Sequence, residues 1–272
     1  MRGQLSEERL EEINDKLPVL DRRLHLATFQ GPGVDINDLI NEENIGVAIV
    51  CLSDAGHRFA ATRLALHEAY ACLIWYREDS PNAPREMTSV FLSKFYVDYA
   101  TLFLYAIGED IAAFIISFLG IESVIIDYLE RPEVKQELSD KKISSNAGKV
   151  GLFMRDEYPG DEITQVILEL HRNEHWRKSL KYRNIWVHEK PPIIEGLGIQ
   201  YNRQSRVNGN LITFGGGSDP EYAIDELLES VLQASYATAN SLSRLTDILI
   251  EKRQDLGEIF DFDNGRVSTE IF

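Results

Sequence analysis

The chain has 272 residues, a hydrophobic share of 44% and a formal net charge of −16. That length holds one large domain or two small ones. So acidic a surface repels nucleic acid and anionic membranes at long range, and any nucleic-acid contact has to be local. Two cysteines, Cys51 and Cys72, both in apolar surroundings, leave no disulfide framework or cysteine metal site and point to a reducing cytoplasm.

Residues 1–14 are acidic and amphipathic and lack the apolar core of a secretory signal. Residues 6–17 read as a short helix stopped by Pro18. Residues 47–52 are a short apolar run, either a buried strand or part of a helix, with Gly56 placed to break it from the next segment. A helix is predicted over 57–79 and ends at Ser80-Pro81-Asn82-Ala83-Pro84. A second, over 85–119, is apolar nearly all round and therefore central. Asp98, Glu109 and Asp110 keep its uncharged runs well short of the ~20 residues of a membrane span. Gly120 closes it, short helices come next at 121–129 and 132–138, and 141–146 is a polar loop.

Residues 161–188 are predicted to form one long helix. Asp161 and Glu162 lie in its first turn, Lys181, Arg183 and His188 near its last, and Pro191-Pro192 stops it. Residues 198–214 read as a β-hairpin around Asn208-Gly209. Asp219-Pro220 is placed to open a final helix whose apolar positions run from Ile224 to Leu249 at helical spacing. The expected fold is all-α: a bundle of about four long helices, with short helices and one small hairpin after the helix at 161–188. Residues 1–56 form an extension packed on a helical domain at 57–253, and 254–272 is an acidic tail.

The chemistry concentrates in Arg183-Asn184-Ile185-Trp186-Val187-His188. At about 100° per residue, Arg183, Asn184 and His188 share one polar arc while Ile185 and Trp186 turn inward. Arginine supplies a planar fork of donors matched to phosphate. Histidine as a residue type moves protons near neutral pH. Between Arg172 and Arg206 stand eight lysines and arginines, among them Arg177, Lys178 and Lys181, against three acids, Glu174, Glu189 and Glu195. That basic island in an acidic chain is a candidate phosphate site, with Tyr182 or Trp186 offering a ring to a base. In the central helix, Asp98, Thr101, Tyr105 and Glu109 form a polar stripe. A buried polar stripe needs partners; Glu109 or Asp98 is expected to hold Arg183 or Asn184, with Tyr105 beside them.

Other patterns carry less. His171-Arg172-Asn173-Glu174-His175 spells H-x-x-E-H, an inverted zinc-protease spacing. Its basic surroundings oppose a dication, so the histidines read as solvated or phosphate-facing groups and no metal is expected. Gly215-Gly216-Gly217-Ser218 is followed at once by acids and reads as a turn rather than a phosphate loop.

The Arg183–His188 hexamer, late in an all-α chain, resembles the R-x(4–6)-H signature of the HEPN superfamily, the higher eukaryote and prokaryote nucleotide-binding domain. The similarity extends over roughly residues 57–253. It implies a metal-independent endoribonuclease needing no cofactor, with Arg183 and His188 as the catalytic pair and Asn184 supporting them. It further implies RNA as substrate, no DNA, no membrane, a homodimer with facing motifs, and a place in toxin–antitoxin or anti-phage defence, with an antitoxin or other protein as a possible partner. Some members have lost activity, so the alternative is a non-catalytic helical interaction or nucleotide-binding module. The acidic surface, the N-terminal segment and the hairpin depart from the family pattern.

Overall fold

The computed structural model describes residues 5–20, 24, 43–79, 86–189, 192–197, 203–207, 210–214, 220–253, 260–261 and 266–267. Helices dominate the described residues, and the fold is all-α. In chain order they are α1 (Glu7–Lys16), α2 (Glu43–Ile74), α3 (Glu86–Leu119), α4 (Glu122–Leu129), α5 (Pro132–Asp140), α6 (Asn146–Glu157), α7 (Glu162–Arg172), α8 (Glu174–His188) and α9 (Ile224–Lys252). Two short antiparallel pairs accompany them: β1 (Arg203–Val207) with β2 (Asn210–Phe214), and β3 (Phe260–Asp261) with β4 (Arg266–Val267).

α2 and α3 form an antiparallel pair along most of their length, and α9 closes the layer against both. α2 is continuous from Glu43, so the apolar run at 47–52 is helix and Gly56 does not interrupt it. Gly56 instead lets the chain near Leu24 come close: a Cβ there would lie 3.0 Å from the Leu24 carbonyl oxygen. The helix therefore crosses the boundary placed between an extension and a bundle at residues 56 and 57. At its other end, Trp75–Asp79 widen into a π-turn.

α3 is the helix against which α2, α6, α8 and α9 all pack. Thirteen of its residues are buried, among them Val97, Leu104, Ile107, Ile111 and Ile115. By length and composition it would also suffice to cross a membrane. It is not buried all round as its sequence suggests: Met87, Phe91, Phe95 and Tyr99, spaced four apart, are 51%, 59%, 47% and 45% exposed.

Three further element boundaries differ from the sequence reading. The predicted single helix over 161–188 breaks at Asn173, whose backbone is extended (φ −60°, ψ 122°). Asn173 ends α7, and its side chain accepts from the Trp176 N–H at 2.9 Å to start α8. An asparagine at this position contributes about 1 kcal/mol and competes with helical continuation. Second, the polar loop gives way at Asn146 to α6, capped by Ser145, which accepts from the Gly148 N–H. Third, α9 begins at Ile224 behind Ala223, so Pro220 precedes the helix rather than opening it. Asp219, the Asn208-Gly209 turn and the Gly215–Ser218 run lie outside the described residues.

The break at Asn173 lets α8 follow its own axis and sink Trp176, Ser179 and Tyr182 into the core. Gly108 on α3 makes the approach possible, since a Cβ there would sit 3.2 Å from the Trp176 ring. A bulky anchor thus draws α8 onto α3 and brings the two polar stripes together.

Candidate functional site

The inward face of α8 meets the polar stripe of α3 residue by residue. Tyr182 Oη donates to Asp98 Oδ1 at 2.6 Å, and Lys94 Nζ donates to Asp98 Oδ2 at 2.6 Å. Trp186 Nε1 donates to Thr101 Oγ1 at 3.4 Å. The Arg183 guanidinium lies over the Tyr105 ring, 4.0 Å from its centre. Glu109 points elsewhere: its carboxylate accepts from the Asn146 and Ala147 N–H groups at 3.3 and 3.4 Å, at the first turn of α6. There it offsets the positive end of the helix.

The stripe therefore faces the motif, but its expected roles change. Among the described residues no carboxylate is bonded to Arg183 or Asn184. Asp98 is taken by Tyr182 and Lys94, and Glu109 by α6. The group that holds Arg183 is Tyr105, through a cation–π contact worth ~0.5–2 kcal/mol depending on how dry it is. Burial pushes the Tyr105 hydroxyl above its ordinary pKa, with Glu109 adding to the shift and Arg183 opposing it. Tyr182, placed by sequence in the RNA-binding set, is 0% exposed. Burial and then the Asp98 carboxylate raise its pKa well above that of free tyrosine. It is an anchor of α8, not a ring offered to a base.

Arg183 Nη1 donates to Asn184 Oδ1 at 2.9 Å and contacts His188 Nε2 at 3.1 Å. A guanidinium has no acceptor, so this contact is a hydrogen bond only in the His188 tautomer that keeps its lone pair on Nε2. The arginine, amide and imidazole form one cluster, with His188 and Asn184 exposed and Arg183 half-buried. The Nε of Arg183 is shielded and has no acceptor among the described residues.

The cluster opens on a groove of about 1640 Å³. One wall is α8, with Arg177, Lys178, Lys181 and Arg183. The other is the α5–α6 turn and the outer face of α6, with Lys141, Lys142 and Arg155. Those seven cations face two carboxylates in the lining, Glu174 and Glu189. Arg172 is exposed but does not line the groove. Lys190 and the side chains of Arg203 and Arg206 lie outside the described residues.

The sequence reading does not include the α6 wall in the site; two of its three cations, Arg155 and Lys141, are braced. Arg155 Nη1 and Lys141 Nζ reach Glu137 at 2.9 and 2.5 Å, and Arg155 Nε reaches Asp156 at 2.6 Å. Arg155 first and Lys141 second pull the Glu137 carboxyl down to about 2. A spacing signal exists in part, because Lys141, which caps α5, stands four residues after Glu137.

At the floor of the groove His171 rests on Gly151. A Cβ at Gly151 would meet the imidazole Nδ1 at 2.6 Å, so only glycine admits the ring. Burial lowers the His171 pKa to about 4. This histidine is neutral and packed, not solvated or phosphate-facing as its sequence context suggests. His175 Nδ1 is buried without a partner among the described residues. No group of three or more metal-ligating side chains occurs among the described residues.

Comparison with family models, with curated proteins and with solved structures returns no match for this chain.

Proposed function

We propose that the chain is a metal-independent endoribonuclease of HEPN type, built as a helical bundle around α2, α3, α8 and α9. The observation that carries this reading is the Arg183 guanidinium, in contact with both Asn184 and His188 at the mouth of a cation-lined groove. In the proposed reaction the RNA 2′-hydroxyl attacks the adjacent phosphorus. His188 Nε2 takes the hydroxyl proton. The phosphorus–O5′ bond breaks, leaving a 2′,3′-cyclic phosphate and a 5′-hydroxyl. Arg183 exchanges its contact with His188 for the non-bridging phosphoryl oxygens as negative charge grows there. Tyr105 holds the guanidinium plane, and Asn184 orients it.

The departing 5′-oxygen needs a proton, and one motif supplies one histidine. A symmetric homodimer with two motifs on one cleft would supply the second, because an isologous contact repeats each patch. The family resemblance places such enzymes in toxin–antitoxin or anti-phage systems, a setting proposed here on that ground alone.

A second reading has its own support. The exposed Met87–Phe91–Phe95–Tyr99 stripe, with Phe95 and Tyr99 in edge contact at 4.9 Å, is an apolar face of the kind that binds a protein partner. On that reading the chain is a non-catalytic interaction module. Incubation of total RNA in EDTA separates the two. Cleavage by the wild type and none by His188→Ala supports the enzyme; no cleavage by either supports the module.

A further inference from the structure

Two helices of this chain end in the same hydrogen-bonded closure, with different residues at its critical position. At the end of α3, the Gly120 N–H donates to Ser117 O at 3.2 Å and the Ile121 N–H to Ile116 O at 3.1 Å. At the end of α5, the Lys142 N–H donates to Ser139 O at 3.1 Å and the Ile143 N–H to Leu138 O at 2.9 Å. Gly120 has φ +62° and Lys142 has φ +52°. Glycine suits this left-handed position because it has no β-carbon to crowd the neighbouring carbonyl. Lys142 is the one non-glycine residue with positive φ among the described residues. The chain thus tolerates backbone strain to keep a lysine there, and such strain is concentrated where a side chain has work outside the fold.

The surroundings say what that work is. Lys142 is exposed and lines the groove. Lys141 and Arg155 beside it are engaged by Glu137, and Lys178 opposite is engaged by Glu174 at 2.7 Å. Lys142 has no carboxylate partner among the described residues, so its ammonium is available to an anion. The lining offers little to read a base: Arg183 covers the Tyr105 ring, and Trp176 is 1% exposed.

We propose that Lys142 binds a backbone phosphate of single-stranded RNA lying along the groove, on the wall opposite the Arg183–His188 cluster. This rests on the endoribonuclease reading for the identity of the strand. A single strand fits because seven cations line the two walls of one groove. A duplex would press its second strand against the surface of a chain of charge −16. Binding is then through phosphates rather than bases, tolerant of sequence and steep in salt.

The test is fluorescence anisotropy with a fluorescein-labelled oligouridylate of about 12 nucleotides, using the His188→Ala protein so that the strand stays uncut. Lys142→Gly in that background is expected to raise Tm by a few degrees while weakening binding about three- to tenfold at about 50 mM salt. The slope of log affinity against log salt should become shallower by about 0.7. Lys142→Arg is expected to keep both affinity and slope. Unchanged binding by Lys142→Gly, or a lowered Tm, overturns the proposal while leaving the ribonuclease reading intact. Failure of the His188→Ala protein itself to bind the oligonucleotide overturns both.

Discussion

The two walls of the groove are built differently. On the α8 wall the reactive groups hold one another: Arg183 reaches Asn184 and His188 within five residues of sequence, and only Tyr105 comes from another helix. On the α6 wall two of the three cations are fixed by acids, with Glu137 and Asp156 gripping Arg155 and Glu137 also gripping Lys141. An arginine committed to two carboxylates is rigid but partly neutralised. An arginine whose neighbours are an amide and an imidazole, with no carboxylate among the described residues, keeps its charge for a substrate. The contrast assigns chemistry to the α8 wall and shape, with a phosphate grip, to the α6 wall.

The sharpest way to break that contrast is to remove one cation from each side. Arg183→Ala and His188→Ala are each expected to lower RNA cleavage by about 10²–10⁴-fold, the range for loss of a proton-transfer group or a transition-state clamp. Helicity by circular dichroism should not change, because both side chains lie at the groove rather than in the core. Arg155→Ala is expected to lower kcat by less than about tenfold and to act mainly on binding and Tm. Equal losses in kcat on the two walls would erase the distinction.

The floor between the walls gives a pH signature. His171 falls from 6.5 to about 4 on folding because burial disfavours its charged form. Below pH 6.5 the unfolded chain takes up a proton that the folded chain refuses until about pH 4. Stability is therefore full above 6.5 and lost as pH falls through that window, by about 3 kcal/mol in all. Denaturant midpoints measured at intervals from pH 7 to 4 should show this fall, and His171→Asn should flatten it. A parent curve no steeper than the variant's would mean the ring is not buried as described.

The smallest effect belongs to the seam where α8 joins α3. Tyr182→Phe removes the hydrogen bond to Asp98, at a cost of about 2 kcal/mol for a bond to a charged acceptor. The same variant should bind RNA as the wild type does, since Tyr182 is sealed in the core. Weakened RNA binding without a loss of stability would restore the ring to the site.

How far the site could be read from sequence depends on which contacts are local. Arg183, Asn184 and His188 lie within two helical turns, so a wheel suffices to group them. Arg177, Lys178 and Lys181 come with the same helix. Lys142 and Arg155 needed α6, whose short run between Asn146 and Glu157 carries five core residues, Ala147, Val150, Leu152, Phe153 and Met154, but two glycines that blur its period. The break at Asn173 is hidden by the charge order, acids at Asp161 and Glu162 and bases near His188, which suits one helix. The buried face in fact shifts between Leu170 and Trp176, and the cap bond to Trp176 marks the change of axis. Pairing Arg183 with a carboxylate was reasonable chemistry. It failed because Asp98 and Glu109 satisfy nearer donors, Tyr182 and the start of α6, before the guanidinium can reach them.

The most direct test of the account is the chemistry of the cut ends. A uniform RNA should be incubated with the wild-type protein in excess EDTA and the 3′ ends of the fragments analysed by mass spectrometry. The account expects 2′,3′-cyclic phosphates opposite 5′-hydroxyls, lost together in His188→Ala. Fragments ending in 3′-hydroxyl opposite 5′-phosphate, or cleavage that EDTA abolishes, would contradict it.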